Sequence, residues 1–136
     1  MNRAAKPLQV YVVEDSDIIR RLLTSAIESA GGELVGAADN AQQAIRQLQQ
    51  LEPHLILIDL VLTSGSGFEV LDALQTGGVA RCAVGVVFTN HTTTEDRERS
   101  LLLGASYFFD KSTQGRQALE LINKMAAERQ GRTSMR

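Results

Sequence analysis

Residues 55–60 read Leu-Ile-Leu-Ile-Asp-Leu, an apolar run that leads directly into an aspartate. The run is too short for a helix of ordinary length, and its lack of polar alternation favours a strand buried on both faces. Such strands are typical of parallel sheets that are covered by helices on both sides. The stretch therefore predicts a central parallel strand with an acidic residue at its carboxyl end.

Similar apolar runs lie before and after this stretch. Each is short, rich in β-branched residues, and separated from the next by a segment of helical periodicity. The predicted strands are Leu8–Val13, Glu33–Ala38, Leu55–Ile58, Ala83–Thr89 and Ser106–Phe109.

An amphipathic helix is predicted after each strand. In the first, apolar residues recur at helical spacing from Ile18 to Ile27, Ser16 or Asp17 caps the start, and Gly31 closes the end. The other predicted helices are Ala41–Leu48, Phe68–Leu74, a segment that opens within Thr92–Asp96 and closes at Leu101–Leu103, and Ala118–Met125, which is expected to fray near Gly131.

The alternation of strand and helix predicts an α/β fold of the (βα)5 type. Five parallel strands joined by right-handed crossovers give a doubly wound, flavodoxin-like sheet with helices on both faces, and the strand order 2-1-3-4-5 suits this number. In such sheets the functional site lies at the carboxyl ends of the strands, close to the point where the strand order reverses.

Length and charge exclude several classes of protein. The chain has 136 residues, the usual size of one domain, and its formal net charge of −2 disfavours a broad electrostatic contact with nucleic acid. No apolar run approaches the roughly 20 residues of a membrane-spanning helix. The single cysteine, Cys82, excludes an intramolecular disulfide. We expect a cytoplasmic protein that neither spans a membrane nor binds nucleic acid directly.

Acidic residues follow two strands that the predicted order makes neighbours. Glu14 and Asp15 follow the first strand, and Asp59 follows the third. Three carboxylates about 5 Å apart repel each other by roughly 3 kcal/mol per pair at an effective dielectric near 20. Lys111, after the fifth strand, balances only part of this charge. An all-oxygen site without His or Cys ligands predicts bound Mg²⁺ or Mn²⁺.

The same strand ends indicate phosphoryl transfer. Asp59 is the predicted nucleophile, with the metal and Lys111 neutralising the transferred group and Thr89 donating a hydrogen bond to it. Each residue alone also fits an ordinary structural role, such as a helix cap, a strand end or a surface lysine. Only the combination of all four strand ends favours the chemical interpretation.

At this point the chain resembles the receiver domain of bacterial two-component response regulators, the CheY-like family. The resemblance runs from about Leu8 to Met125. The matching pieces are VVEDS at 12–16, LILIDL at 55–60, GSGFEVL at 65–71, VFTN at 87–90, and Gly104-Ala105 leading to Phe108 and Lys111.

The resemblance implies a role for each acidic residue. Asp59 corresponds to the phosphoacceptor, and Glu14 and Asp15 correspond to the pair that holds Mg²⁺, with the backbone carbonyl of Val61 as a further ligand. Glu14 stands where aspartate is commoner, and its longer side chain still reaches the metal, directly or through water.

The resemblance also implies a switch. Thr89 and Lys111 correspond to the switch hydroxyl and the phosphate-binding lysine, and Phe108 to the switch aromatic. On phosphorylation Thr89 is expected to move towards the phosphoryl group, and Phe108 to fill the vacated space from the outer face. Val61 and His91 flank the site and are expected to tune the lifetime of the phosphoryl group.

The implied function is that of a phosphoacceptor in a phosphorelay, not of a turnover enzyme. The phosphoryl group comes from a phosphohistidine on a sensor histidine kinase or phosphotransfer protein. The output is a partner protein or an output domain outside this chain, and a homodimer through helix four, strand five and helix five is left open.

We assign residues 1–7 to an N-terminal extension, 8–127 to the receiver domain and 128–136 to a polar tail. The alternative function is an interaction module that works without phosphate.

Overall fold

The computed structural model describes residues 6–134, and side chains as far as residue 131. The strands are β1 (Gln9–Val13), β2 (Glu33–Ala38), β3 (Leu55–Ile58), β4 (Val84–Thr89) and β5 (Tyr107–Asp110). The helices are α1 (Asp17–Ser29), α2 (Ala41–Leu48), α3 (Gly67–Thr76), α4 (Thr94–Leu102) and α5 (Gly115–Ser134).

All five strands form one parallel sheet in the order β2-β1-β3-β4-β5, which confirms the predicted fold and strand order. The register places Val13 of β1 opposite Ile58 of β3, and Thr89 of β4 opposite Asp110 of β5. Neighbouring strands therefore end at nearly the same level. The residues that follow them meet at one edge of the sheet.

The core has two layers, one on each face of the sheet, because side chains alternate between the faces along each strand. One layer packs against α2 and α3, and the other against α1 and α5. The strand residues of the first layer include Tyr11, Val13, Ile56, Ile58 and Val87, and those of the second include Val10, Val12, Leu55, Leu57 and Val86.

Helix α1 is capped by Ser16 and not by Asp17. The Oγ of Ser16 accepts a hydrogen bond from the amide of Ile19 at 3.3 Å, which satisfies one of the free N–H groups of the first turn. Gly31, just past the end of the helix, has a φ of 90°, a conformation that favours glycine.

Helix α5 extends three residues past Gly131, near which the sequence predicts fraying, and reaches Ser134. The predicted polar tail is therefore helical as far as the structure describes it. Ala126 is buried, and the Nε of Arg129 donates a hydrogen bond to the carbonyl of Lys6 at 3.0 Å, which ties the last turns to the beginning of the described chain. None of the helices within residues 6–134 combines the length and apolar character needed to cross a membrane.

Gly67, the first residue of α3, lies against the backbone of Asp59. Its amide donates to the carbonyl of Leu60 at 3.0 Å. A Cβ at position 67 would lie 2.3 Å from the carbonyl oxygen of Asp59 and 2.9 Å from the Cγ2 of Ile58. Only glycine allows α3 to begin this close to the end of β3.

Gly67→Ala is expected to lower the free energy of unfolding by about 3 kcal/mol, because the added methyl group forces backbone apart. Urea unfolding measures the change. Gly115→Ala is the matched control, since no atom beyond its chain neighbours and the backbone of its own helix lies within 4 Å of a Cβ built there. Equal stability of the two variants would contradict this account of Gly67.

Candidate functional site

Three carboxylates meet where β1 and β3 end. The amide of Asp59 donates to the carbonyl of Val13 at 2.9 Å, and the amide of Glu14 donates to the carbonyl of Ala38 at 2.9 Å. These bonds extend the parallel pairing by one residue beyond the strands. As a result, one carboxylate oxygen from each of Glu14, Asp15 and Asp59 lies within 4.8 Å of the others. The structure thus brings together the three acidic residues that the sequence singles out.

Lys111 follows β5, two strands away from β3, and its side chain reaches this acidic cluster. Its backbone amide donates to the carbonyl of Thr89 at 2.9 Å, which fixes the residue beside the end of β4. Its Nζ donates to Asp59 Oδ2 at 2.9 Å and forms an ion pair with Glu14 Oε1 at 2.8 Å. The side chains of Lys111, Glu14 and Asp59 are 9%, 2% and 8% exposed, so both ion pairs are nearly buried.

Burial and charge shift the pKa of two members of the cluster. Burial raises the pKa of Glu14, although hydrogen bonds from Lys111 and from the amide of Ser16, at 3.1 Å, oppose the rise. Burial also lowers the pKa of Lys111, but its hydrogen bonds to Asp59 and Glu14 outweigh this and the pKa lies above its usual value. Lys111 therefore carries a full positive charge at neutral pH.

The donor set fits a hard divalent cation. It consists of oxygen atoms alone, and one lysine cannot balance three carboxylates, so excess negative charge remains to attract a metal. Both oxygens of Glu14 already have partners, the Nζ of Lys111 and the amide of Ser16. Asp15 is exposed while Glu14 and Asp59 are buried, so the cluster opens to solvent on the Asp15 side.

Thr89 and Phe108 lie inside the protein. Thr89 is 0% exposed, and its Oγ1 accepts a hydrogen bond from the amide of His91 at 3.1 Å, which leaves the hydroxyl proton to donate elsewhere. Phe108 is only 6% exposed, whereas its neighbour Tyr107 is 41% exposed. The expectation that Phe108 lies on the outer face is therefore wrong for this structure. Its ring already belongs to the core layer that packs against α2 and α3.

Val61 and His91 each follow a residue of the site by two positions, Asp59 and Thr89. Val61 is 48% exposed, and its amide points at Asp59 Oδ1 from 3.4 Å, a long and weak contact. His91 is exposed and touches the site through its backbone amide. Their roles in tuning the lifetime of a phosphoryl group, and the role of the Val61 carbonyl as a ligand, stay predictions.

Sequence reasoning missed two residues that position the acidic cluster, Arg20 beside Glu14 and Gly67 beside Asp59. The Nη1 of Arg20 donates to the carbonyl of Glu14 at 2.8 Å, which ties the loop to the first turn of α1. The same guanidinium pairs with Asp17, three residues earlier, and this spacing is a signal that the sequence does carry. The close approach of Gly67 to Asp59 depends on the packing of α3 and has no comparable signal.

A family model described as the response regulator receiver domain matches residues 10–123. Among curated proteins, the phosphate regulon transcriptional regulatory protein PhoB of Escherichia coli K12 is 34% identical over 103 residues. The match covers 76% of this chain and 44% of PhoB, so the chain spans less than half the length of that relative.

Solved structures share the fold over nearly the whole chain. The chemotaxis protein CheY4 of Vibrio cholerae has a TM-score of 0.75 at 23% identity, with 90% of this chain and 98% of that chain covered. The Mn²⁺-bound form of response regulator Rcp1 has a TM-score of 0.73 at 27% identity, with 88% of this chain and 91% of that chain covered. Rcp1 thus binds, in that crystal, one of the two metals that the acidic cluster fits.

Proposed function

Because the chain belongs to the response regulator receiver domain family, we propose that Asp59 accepts a phosphoryl group from a phosphohistidine and that Lys111 holds it. The observation that carries this proposal is the nearly buried Nζ of Lys111, which lies 2.9 Å from Asp59 inside a three-carboxylate cluster. The chain is a receiver domain of a two-component system.

Transfer begins with attack by a carboxylate oxygen of Asp59 on the phosphorus atom of the phosphohistidine. The new O–P bond forms as the P–N bond breaks, and the electron pair of that bond stays on the imidazole nitrogen. Lys111 pairs with Asp59 before attack and with the phosphoryl oxygens afterwards, because its Nζ already contacts the attacked carboxyl group. The chain acts as the acceptor and is not proposed to be a turnover enzyme.

The metal site is proposed to consist of Glu14, Asp15 and Asp59, with the carbonyl of Val61 as a further ligand. Bound Mg²⁺ or Mn²⁺ supplies positive charge that offsets the incoming phosphoryl oxygens. Asp15 offers an exposed carboxylate at the open side of the cluster, and Asp59 a buried one. Glu14 contributes either one oxygen or a water contact, since Lys111 and Ser16 already occupy both of its oxygens.

The phosphoryl group is proposed to act on the protein through Thr89. It adds about two negative charges beside a buried hydroxyl whose proton is available to donate. When this hydroxyl moves towards the phosphoryl oxygens, it loses the hydrogen bond that it accepts from the amide of His91. The loss of that bond shifts residues 90–93, which connect β4 to α4. Because Phe108 is already buried, this response does not need the ring to move inward.

The phosphohistidine donor is proposed to dock beside α1 and α5. Ile18 and Leu22 of α1 are 71% and 61% exposed, and Leu119 of α5 is 41% exposed. An open apolar groove of 310 Å³ is lined by Leu22, Leu119 and Lys111 among others, so it runs up to the phosphoacceptor site. A sensor histidine kinase or phosphotransfer protein that covers this groove brings its phosphohistidine to Asp59.

The output is proposed to be a protein contact. PhoB and related regulators are longer than this chain, so either a separate partner or an output domain outside it receives the signal. A homodimer through α4, β5 and α5 is one such contact, with Leu102 80% exposed on α4.

We propose that the receiver domain comprises residues 8–127. This range contains the family match and lies between an extension at 1–7 and the segment 128–136.

Incubation with acetyl phosphate and Mg²⁺, followed by intact mass measurement, tests the proposal. We expect one added phosphoryl group on the wild type and none in a chelator or in Asp59→Asn. No addition to the wild type, together with no Mg²⁺ binding, would overturn the proposal and favour the interaction module that works without phosphate.

A further inference from the structure

Helix α4 is held to the body of the protein by little apolar contact. A docked helix ordinarily buries an apolar stripe along one face. In α4 only Ser100 is fully buried, and its Oγ donates within the helix, to the carbonyl of Asp96 at 2.8 Å. Leu101 and Leu102 are 44% and 80% exposed. Contacts other than an apolar stripe must therefore set the position of this helix.

Two arginines of α4 supply such contacts. The guanidinium of Arg97 lies 5.6 Å from the centre of the Phe108 ring on β5. The guanidinium of Arg99 lies 4.0 Å from the centre of the Phe68 ring on α3. Residues two apart leave a helix on different sides, so the two arginines attach opposite flanks of α4. Both contacts are of the cation–π type.

Arg97 contacts a strand whose end carries residues of the phosphoacceptor site, whereas Arg99 contacts a neighbouring helix, α3. Phe108 pairs in register with Val87, two residues before Thr89 on β4. Phe108 also lies three residues before Lys111, whose amide donates to the carbonyl of Thr89. Arg97 therefore contacts the ring of a residue whose partner on β4, Val87, lies two positions before the switch hydroxyl of Thr89.

We propose that Arg97 is a positioning residue that holds α4 against Phe108 and so opposes the response of α4 to occupancy of the Asp59 site. This inference rests on the proposed function. Movement of the Thr89 hydroxyl towards a phosphoryl group releases the amide of His91 and shifts the segment that enters α4. A shifted α4 withdraws Arg97 from Phe108, so loss of that contact is part of the cost of the response.

Beryllofluoride with Mg²⁺, a stable mimic of the phosphoryl group, tests the proposal through amide hydrogen exchange in residues 94–102. We expect its binding to the wild type to change exchange in α4 by at least about fivefold, the lower end of typical couplings between sites. In Arg97→Gln, exchange in α4 is already fast without the mimic, and binding changes it little. Arg97→Lys keeps part of the wild-type response, because an ammonium group also binds an aromatic face.

The affinity for beryllofluoride separates coupling from simple structural support. Coupling is reciprocal, so a variant without the opposing contact binds the mimic about fivefold more tightly. Arg99→Gln is the matched control: it loosens α4 from α3 but keeps the Arg97–Phe108 contact, so its affinity for the mimic stays at the wild-type value.

Equal affinities in the wild type and Arg97→Gln would overturn the role of Arg97 while leaving the proposed function intact. Equal gains in Arg97→Gln and Arg99→Gln would also overturn it, because any loosening of α4 would then suffice. Failure of beryllofluoride to bind the wild type would instead overturn the proposed function, and this inference with it.

Discussion

Replacing Lys111 with methionine is expected to lower the free energy of unfolding in the absence of divalent metal by about 3 kcal/mol, the low end of the cost of breaking a buried ion pair. The substitution keeps most of the side-chain volume and removes the charge. It leaves the carboxylates of Glu14 and Asp59, 2% and 8% exposed, without the cation that pairs with both of them.

Mg²⁺ is expected to restore more stability to Lys111→Met than to the wild type, because the metal then takes over the neutralisation of the buried carboxylates. Urea unfolding with and without Mg²⁺ measures both effects. Lys124→Met is the matched control, because Lys124 is exposed on α5 and such substitutions usually change stability by less than about 0.5 kcal/mol. If both lysine variants unfold at the wild-type urea concentration, Lys111 does not balance the cluster as described.

Asp15→Asn is expected to weaken Mg²⁺ binding by at least about tenfold, with little effect on folding. Asp15 is the exposed member of the acidic cluster, so its loss removes a charged ligand without leaving a buried group unpaired. Even partners that only support a metal ligand typically change metal affinity by about 10- to 100-fold. Isothermal titration with Mg²⁺ measures the change.

Asp39→Asn provides the control for charge alone. Asp39 is also exposed and also follows a strand, β2, but it is not part of the acidic cluster. Its variant is expected to bind Mg²⁺ as the wild type does. An equal loss of affinity in both variants would mean that general surface charge, and not the cluster, attracts the metal.

The sequence predicts the fold well because strand burial and helix periodicity are local signals. Short apolar runs identify all five strands, and Glu33–Ala38 and Leu55–Ile58 agree with the structure at both ends. Once the strand order is known, parallel pairing alone brings Glu14 and Asp59 to the same edge. The acidic cluster is therefore a consequence of topology that a sequence pattern can reveal.

Other features depend on contacts between distant parts of the chain. The continuation of α5 beyond Gly131 accompanies a hydrogen bond from Arg129 to Lys6, residues 123 positions apart. The burial of Phe108 accompanies coverage by Arg97 from α4. Neither contact follows from local periodicity, because each depends on how a helix lies against the finished sheet.

The attachment site of the phosphoryl group tests the central claim most directly. After acetyl phosphate treatment with Mg²⁺, borohydride reduction converts an acyl phosphate to a stable alcohol, and peptide mapping by mass spectrometry then locates it. We predict a single converted residue, Asp59, in the peptide that contains β3 and the loop after it. Conversion at Glu14, Asp15 or Asp110 with Asp59 unchanged would contradict the account.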